Sequence, residues 1–176
     1  MNHSVVVIVL HRRGRILLHF RDQNTTIYPN HLAFISGSAE VGESHIKAAK
    51  RELKEETGLR CYLRYETKVT LTSTAKTIFI FTARLKSRNF KIFEGKGAGW
   101  YSPSLVQKFH RLPWTAGQTA VAVARPTKVF MHIMAVVKSR VSNERLKIHR
   151  ASKLPYPCSV LSSRYLSRLR TVRRYK

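Results

Sequence analysis

Of 176 residues, 33 are Lys or Arg and nine are Asp or Glu, yet five of those nine acids fall between Glu40 and Glu56. A chain of formal charge +24 has cations to spare for each carboxylate, and this one crowds its carboxylates together instead. Glu52, Glu55 and Glu56 stand at i, i+3 and i+4. On a helix at ~100° per residue they share an arc of about 100°. Ile46, Ala49 and Leu53 form the adjacent apolar stripe, which would face a sheet, and Lys47, Lys50 and Lys54 take the remaining side. The spacing predicts a helix over 44–57, with Ser44 as N-cap and Gly58 just past its C-terminal end.

Three carboxylates so placed repel one another by up to ~0.5 kcal/mol per pair on an isolated helix. A hard divalent cation such as Mg²⁺ or Mn²⁺, bound through oxygen, removes that penalty and also binds phosphate. Arg51, one turn before Glu55, can orient it through a charge-assisted hydrogen bond. A solvated acidic face with i,i+4 lysine partners is the plainer reading of any such cluster. The wider pattern has to decide between them.

That pattern is Gly, five residues, Glu, seven residues, then Arg-Glu-apolar-any-Glu-Glu-any-Gly-apolar. Gly37, Glu43, Arg51, Glu52, Leu53, Glu55, Glu56, Gly58 and Leu59 fill every defined position. At ordinary composition a chance match is on the order of one in ten million. Over residues 37–59 the chain resembles the Nudix hydrolase family. The similarity extends over about 4–113: Arg21-Asp22 and Tyr28-Pro29 resemble the segment many bacterial members carry upstream. The run from Glu94-Gly95 to Trp100 resembles a loop of nucleotide-sanitising members, whose glutamate approaches the metal site. The resemblance implies an α/β/α sandwich with a mixed β-sheet. It further implies that the Gly37 carbonyl, Glu52, Glu55 and Glu56 ligate Mg²⁺ or Mn²⁺. Glu52 or Glu94 would activate water, Arg51 would hold the glutamates, and Glu43 would support the loop. Ser36 stands where a second glycine is usual, and would restrict the loop if that position needs positive φ. Ser38 follows, and Leu32 replaces a common Trp.

Around the helix, residues 5–10 and 15–21 predict a hairpin across Arg12-Arg13-Gly14. Residues 32–35 form a short apolar piece before a loop over 36–43. Residues 69–71 and 77–85 are β-branched and aromatic, and so predict strands. Ser102-Pro103 predicts a short helix to Phe109. Phe79 and Phe81 share a strand face and read as core. None of the eight histidines forms an HxH or HExxH pattern, so they read as surface or strand residues rather than ligands.

Composition changes near Trp114: from 115 to 176 there are 14 Lys or Arg and one acid, Glu144. The expected organisation is a domain over 1–114, or up to about 137, followed by a strongly basic C-terminal extension over 115–176. Leu161, Tyr165, Leu169 and Val172 recur there at helical spacing among arginines. The extension reads as a nucleic-acid-binding arm, as a solvated tail, or as the product of a reading frame shifted after Trp114. The cysteines, Cys61 and Cys158, form no CxxC pair, which suggests a reducing cytoplasmic setting. The apolar runs at 5–10 and 130–137 are shorter than the ~20 residues of a spanning helix, so no transmembrane segment is expected.

The expected function is a divalent-metal-dependent pyrophosphohydrolase acting on a nucleoside diphosphate linked to another moiety, with a nucleotide-type small molecule as substrate. The alternatives are a non-enzymatic RNA- or ribosome-binding module of the same fold, or a hydrolase acting on RNA 5′ ends.

Overall fold

The computed structural model describes residues 4–86, 90–113, 120–125 and 127–151. In chain order its elements are β1 (Ser4–Arg12), β2 (Arg15–Phe20), β3 (Leu32–Ala33), β4 (Ile35–Ser38), α1 (His45–Thr57), β5 (Arg64–Leu71) and β6 (Lys76–Arg84). They continue with β7 (Ala98–Tyr101), α2 (Pro103–Lys108), β8 (Arg111–Pro113), β9 (Ala120–Ala122) and α3 (Thr127–Ala151).

β1 and β2 meet in the expected hairpin. Arg13 and Gly14 both take positive φ, 48° and 75°, matching a two-residue turn whose twist suits the strands. The hairpin ladder is brief, pairing only His11 with Ile16 and Arg12 with Arg15. Beyond it β4 takes the place beside β1, with Val6 opposite Gly37 and Val7 opposite Ser36. β2, thus released, pairs with β3 and β7. On its other edge β1 runs parallel to β6, which pairs antiparallel with β5. The result is a seven-stranded mixed sheet. Part of the expected loop over 36–43 is therefore strand, since the β1 ladder extends through Ser38.

Alternation along the strands divides the core by face. Val6, Ile8, Leu10, Leu17, Phe81 and Ala83 pack with Ala48, Ala49 and Leu53 of α1. Val7, Val9, Ile16, Leu18 and Ile80 pack with Val106 of α2 and with Val129, Phe130, Ile133, Met134, Val137 and Val141 of α3. Helices cover both faces, which makes an α/β/α sandwich. The composition break near Trp114 is not a break in packing, because α3 closes the second face.

α3 is tied to the sheet by polar contacts as well. Arg140 donates from Nε to Oε1 and Oε2 of Glu66 at 3.0 Å each, and from Nη2 to Oε2 at 2.8 Å. Thr82 Oγ1 donates to the same carboxylate at 2.7 Å. The segment carrying Leu161, Tyr165, Leu169 and Val172 lies outside the described residues. No helix among the described residues is long and apolar enough to cross a membrane.

Candidate active site

The apolar stripe of α1 sets which way its carboxylates point. Ala48, Ala49 and Leu53 are buried against the sheet, and Leu53→Ala would cost ~2–5 kcal/mol. The helix stops at Gly58, whose φ of 68° is costly for any residue with a Cβ, and the Gly58 amide caps the Lys54 carbonyl. Ser44 occupies the N-cap position, though its side chain makes no capping hydrogen bond.

Arg51 is the hub of the site. Its Nε and Nη2 donate to the two oxygens of Glu43 at 3.2 and 3.0 Å. Nη1 donates to Glu52 Oε1 at 2.8 Å and to Glu55 Oε2 at 3.1 Å, and Nη2 also reaches the Ser38 carbonyl at 2.9 Å. One guanidinium thus holds two helix glutamates and both ends of the loop between β4 and α1. Glu43 Oε2 further accepts the Glu40 amide at 3.1 Å, closing that loop on itself. The hydrogen bonds from Arg51 hold the Glu43 carboxyl below its ordinary range. Burial raises Glu52, and the bond from Arg51 opposes the rise.

Gly37 is required here for space, because a Cβ at this position would collide with the Glu52 carboxyl group. Ser36 lies in β4 and is not among the positive-φ residues, so the expected restriction does not arise. Its amide instead donates to Glu56 Oε1 at 3.4 Å.

Glu56 turns inward and is 2% exposed. Its Oε2 lies 3.0 Å from Nδ1 of His19, itself 3% exposed, without the alignment of a hydrogen bond. Burial, and then the neighbouring Glu94 carboxylate, push Glu56 up to about 8. Burial, reinforced by Arg21, pushes His19 down to about 4. Both shifts favour the uncharged form of each group, so burial works against an ion pair at this close approach. Glu94 reaches this place on the loop before β7. The Phe93 amide donates to the Glu56 carbonyl at 2.8 Å, and the Lys96 amide to the Phe20 carbonyl at 2.7 Å.

The fold thus brings Gly37, Glu43, Arg51, Glu52 and Glu55 together, with Glu56 buried on the inner side and Glu94 exposed on the loop before β7, close enough for its charge to act on Glu52 and Glu56. Among the described residues no three His, Cys, Asp or Glu side chains are already gathered as a coordination set. His19 belongs to no histidine motif, so motif spacing does not single it out. Its signal was strand alternation: with Leu17 it occupies the β2 face turned to α1, where a polar residue is out of place. Phe81 is buried core as expected, and the His45 ring stacks on Phe79 with centroids 3.5 Å apart. A groove of about 830 Å³ runs along α1, bordered by Lys50, Lys54, Arg60, Tyr62 and, nearest the site, Arg51 and Glu55.

The NUDIX domain model matches residues 1–122. The chain belongs to the Nudix family, the class of hydrolases that act on phosphoanhydride bonds. A Deinococcus radiodurans structure is similar at 19% identity and a TM-score of 0.58, over 73% of this chain and 81% of that one. A MutT structure, from work on Aliivibrio salmonicida and Vibrio cholerae, is similar at 18% identity and 0.57, over 77% and 99%. The NUDIX domain of Shewanella oneidensis NrtR, complexed with ADP ribose, is similar at 17% and 0.56, over 83% and 89%. No curated protein matches the chain significantly.

Proposed function

We propose that this chain is a divalent-metal-dependent pyrophosphohydrolase that cleaves a nucleoside diphosphate linked to another moiety. The observation that carries the reading is the Glu56 carboxyl group. It is buried, its Oε2 has no hydrogen-bond partner, and Glu52 and Glu94 bear on it. A nearby cation would offset both the burial and the repulsion.

The donor set fits a hard ion: the Gly37 carbonyl, Glu52, Glu55 and Glu56 offer only oxygen, as Mg²⁺ or Mn²⁺ prefers. When bound, such an ion supplies charge stabilisation to the diphosphate oxygens. Arg51 keeps Glu52 and Glu55 on one side of the helix, and Glu43 fixes the loop that follows β4, the strand that carries Gly37. Glu94 is the better candidate to take the proton from attacking water. Glu52 already gives a lone pair to Arg51, whereas Glu94 stands exposed on a loop that faces Glu56. Lys50, Lys54 and Arg60 line the groove leading away from Glu55, where anionic parts of the substrate beyond the scissile bond can lie.

The catalytic domain in this reading joins the region matched by the family model to the packed part of α3. A cytoplasmic setting accords with the sparse cysteines.

The test is a substrate panel of nucleoside triphosphates, nucleotide sugars, ADP-ribose and 5′-triphosphorylated RNA, run with Mg²⁺ and with Mn²⁺. The ADP-ribose complex of the Shewanella relative motivates that member of the panel. Glu56→Gln should lower turnover by orders of magnitude while the protein stays folded, and retained turnover rejects the assignment. Salt-sensitive RNA binding with no hydrolysis across the panel would instead favour a binding module.

A further inference from the structure

On the β2 face turned to α1, Leu17 is apolar and buried as the core requires, and His19 is buried equally well but is not apolar. Its cross-strand partners are Ala33 on β3 and Ala98 on β7, so small side chains flank the ring on both sides. Neither ring nitrogen has a hydrogen-bond partner among the described residues. Buried polar groups without partners are uncommon, and one placed 3.0 Å from a carboxylate oxygen needs alignment rather than approach to acquire one.

We infer that His19 is a positioning residue, which holds the Glu56 carboxylate from beneath so that it can take part in binding the divalent ion. The inference rests on the metal-dependent reading above. With Glu56 ionised, an Nδ1–H on His19 donates to Oε2, while the Ser36 amide approaches Oε1 at 3.4 Å. The orientation of the carboxylate is then set by β2 and β4 rather than by α1 alone, and β4 also carries Gly37. Carboxylates that ligate metals are in turn hydrogen-bonded, and loss of the outer partner typically costs 10–100-fold in metal affinity.

The experiment measures Mn²⁺ binding by EPR, and Mg²⁺ by competition, to the metal-stripped full chain and to His19→Leu, His19→Asn, His19→Gln and Glu56→Gln. His19→Leu should weaken both metals by ~10–100-fold, with a metal-free melting temperature no lower than that of the parent. His19→Asn, which can place an N–H near Nδ1, should recover most of the loss. His19→Gln, which reaches past that point, should not. Parent-like affinity in His19→Leu, or equal affinities in the Asn and Gln variants, overturns the inference. A loss confined to Mn²⁺ also overturns it, because the ring would then be a direct ligand. If Glu56→Gln abolishes binding while the His19 variants bind normally, only this inference fails. If the parent binds neither metal, the metal-dependent reading fails first and takes the inference with it.

Discussion

Glu56 and His19 move in opposite directions from their ordinary pKa values, and stability should record both. Glu56 rises from 4.5 to about 8, so the folded metal-free protein keeps a proton that the unfolded chain releases above pH 4.5. Its contribution is therefore fully present at low pH and is lost as pH rises from 4.5 to about 8. His19 falls from 6.5 to about 4, so the unfolded chain binds a proton that the folded protein refuses, and stability drops as pH falls through that interval. Between 4.5 and 6.5 the two slopes oppose each other, and above 6.5 Glu56 acts alone. The melting temperature of the metal-stripped protein should fall between pH 6.5 and 8, and the increment added by Mn²⁺ should grow over the same range. A flat metal-free profile would show that Glu56 is already ionised. Arg51 lends itself to a second test, since lysine keeps the charge but cannot fork between Glu43, Glu52, Glu55 and Ser38. Arg51→Lys should lower kcat/KM by ~10–100-fold, as for a lost outer-shell partner. Glu94→Gln should lower kcat while leaving Mn²⁺ affinity near that of the parent, which separates a proton acceptor from a ligand.

At the scale of elements, α3 is held by an apolar face and by the tie from Arg140 to Glu66. The Glu66 side chain is 6% exposed, so removing Arg140 strands a buried carboxylate with weaker partners. Arg140→Ala should cost ~2 kcal/mol, in the range for hydrogen bonds to charged groups. The tie lies on the sheet face opposite α1, so kcat should change little. Chemical denaturation and a kinetic assay on the same variant check both halves. α1 was legible from periodicity alone, because its apolar stripe, its carboxylate face and Gly58 agree on one register. β4 is only partly legible in the sequence, because its four residues, Ile35–Ser38, carry too little alternation to distinguish strand from loop. Its pairing with β1 becomes evident only when the hairpin opens to admit it.

For the whole molecule the dominant quantity is charge. The chain carries a formal +24 while the site is built from carboxylates, so an anionic substrate would be attracted by the net charge of the protein and not by the site itself. kcat/KM for a nucleotide substrate should therefore fall steadily as ionic strength rises, while kcat stays nearly constant. Stopped-flow or initial-rate measurements across a salt series would show it, and a salt-independent kcat/KM would remove steering from the account.

The sequence by itself determined the family, the helix and the chemical type of the site. Those features are local: fixed spacings along one stretch of chain place Arg51 and the glutamates on common faces whatever surrounds them. Glu94 lies beyond residues 37–59 and is legible only through resemblance. The tertiary structure decided what lies beneath. It placed His19 against Glu56 by setting β2 under α1, made Ser36 a strand residue whose amide meets that carboxylate, and enlisted 129–141 to cover the far face of the sheet. Each of these joins residues tens of positions apart, and no local period encodes the meeting.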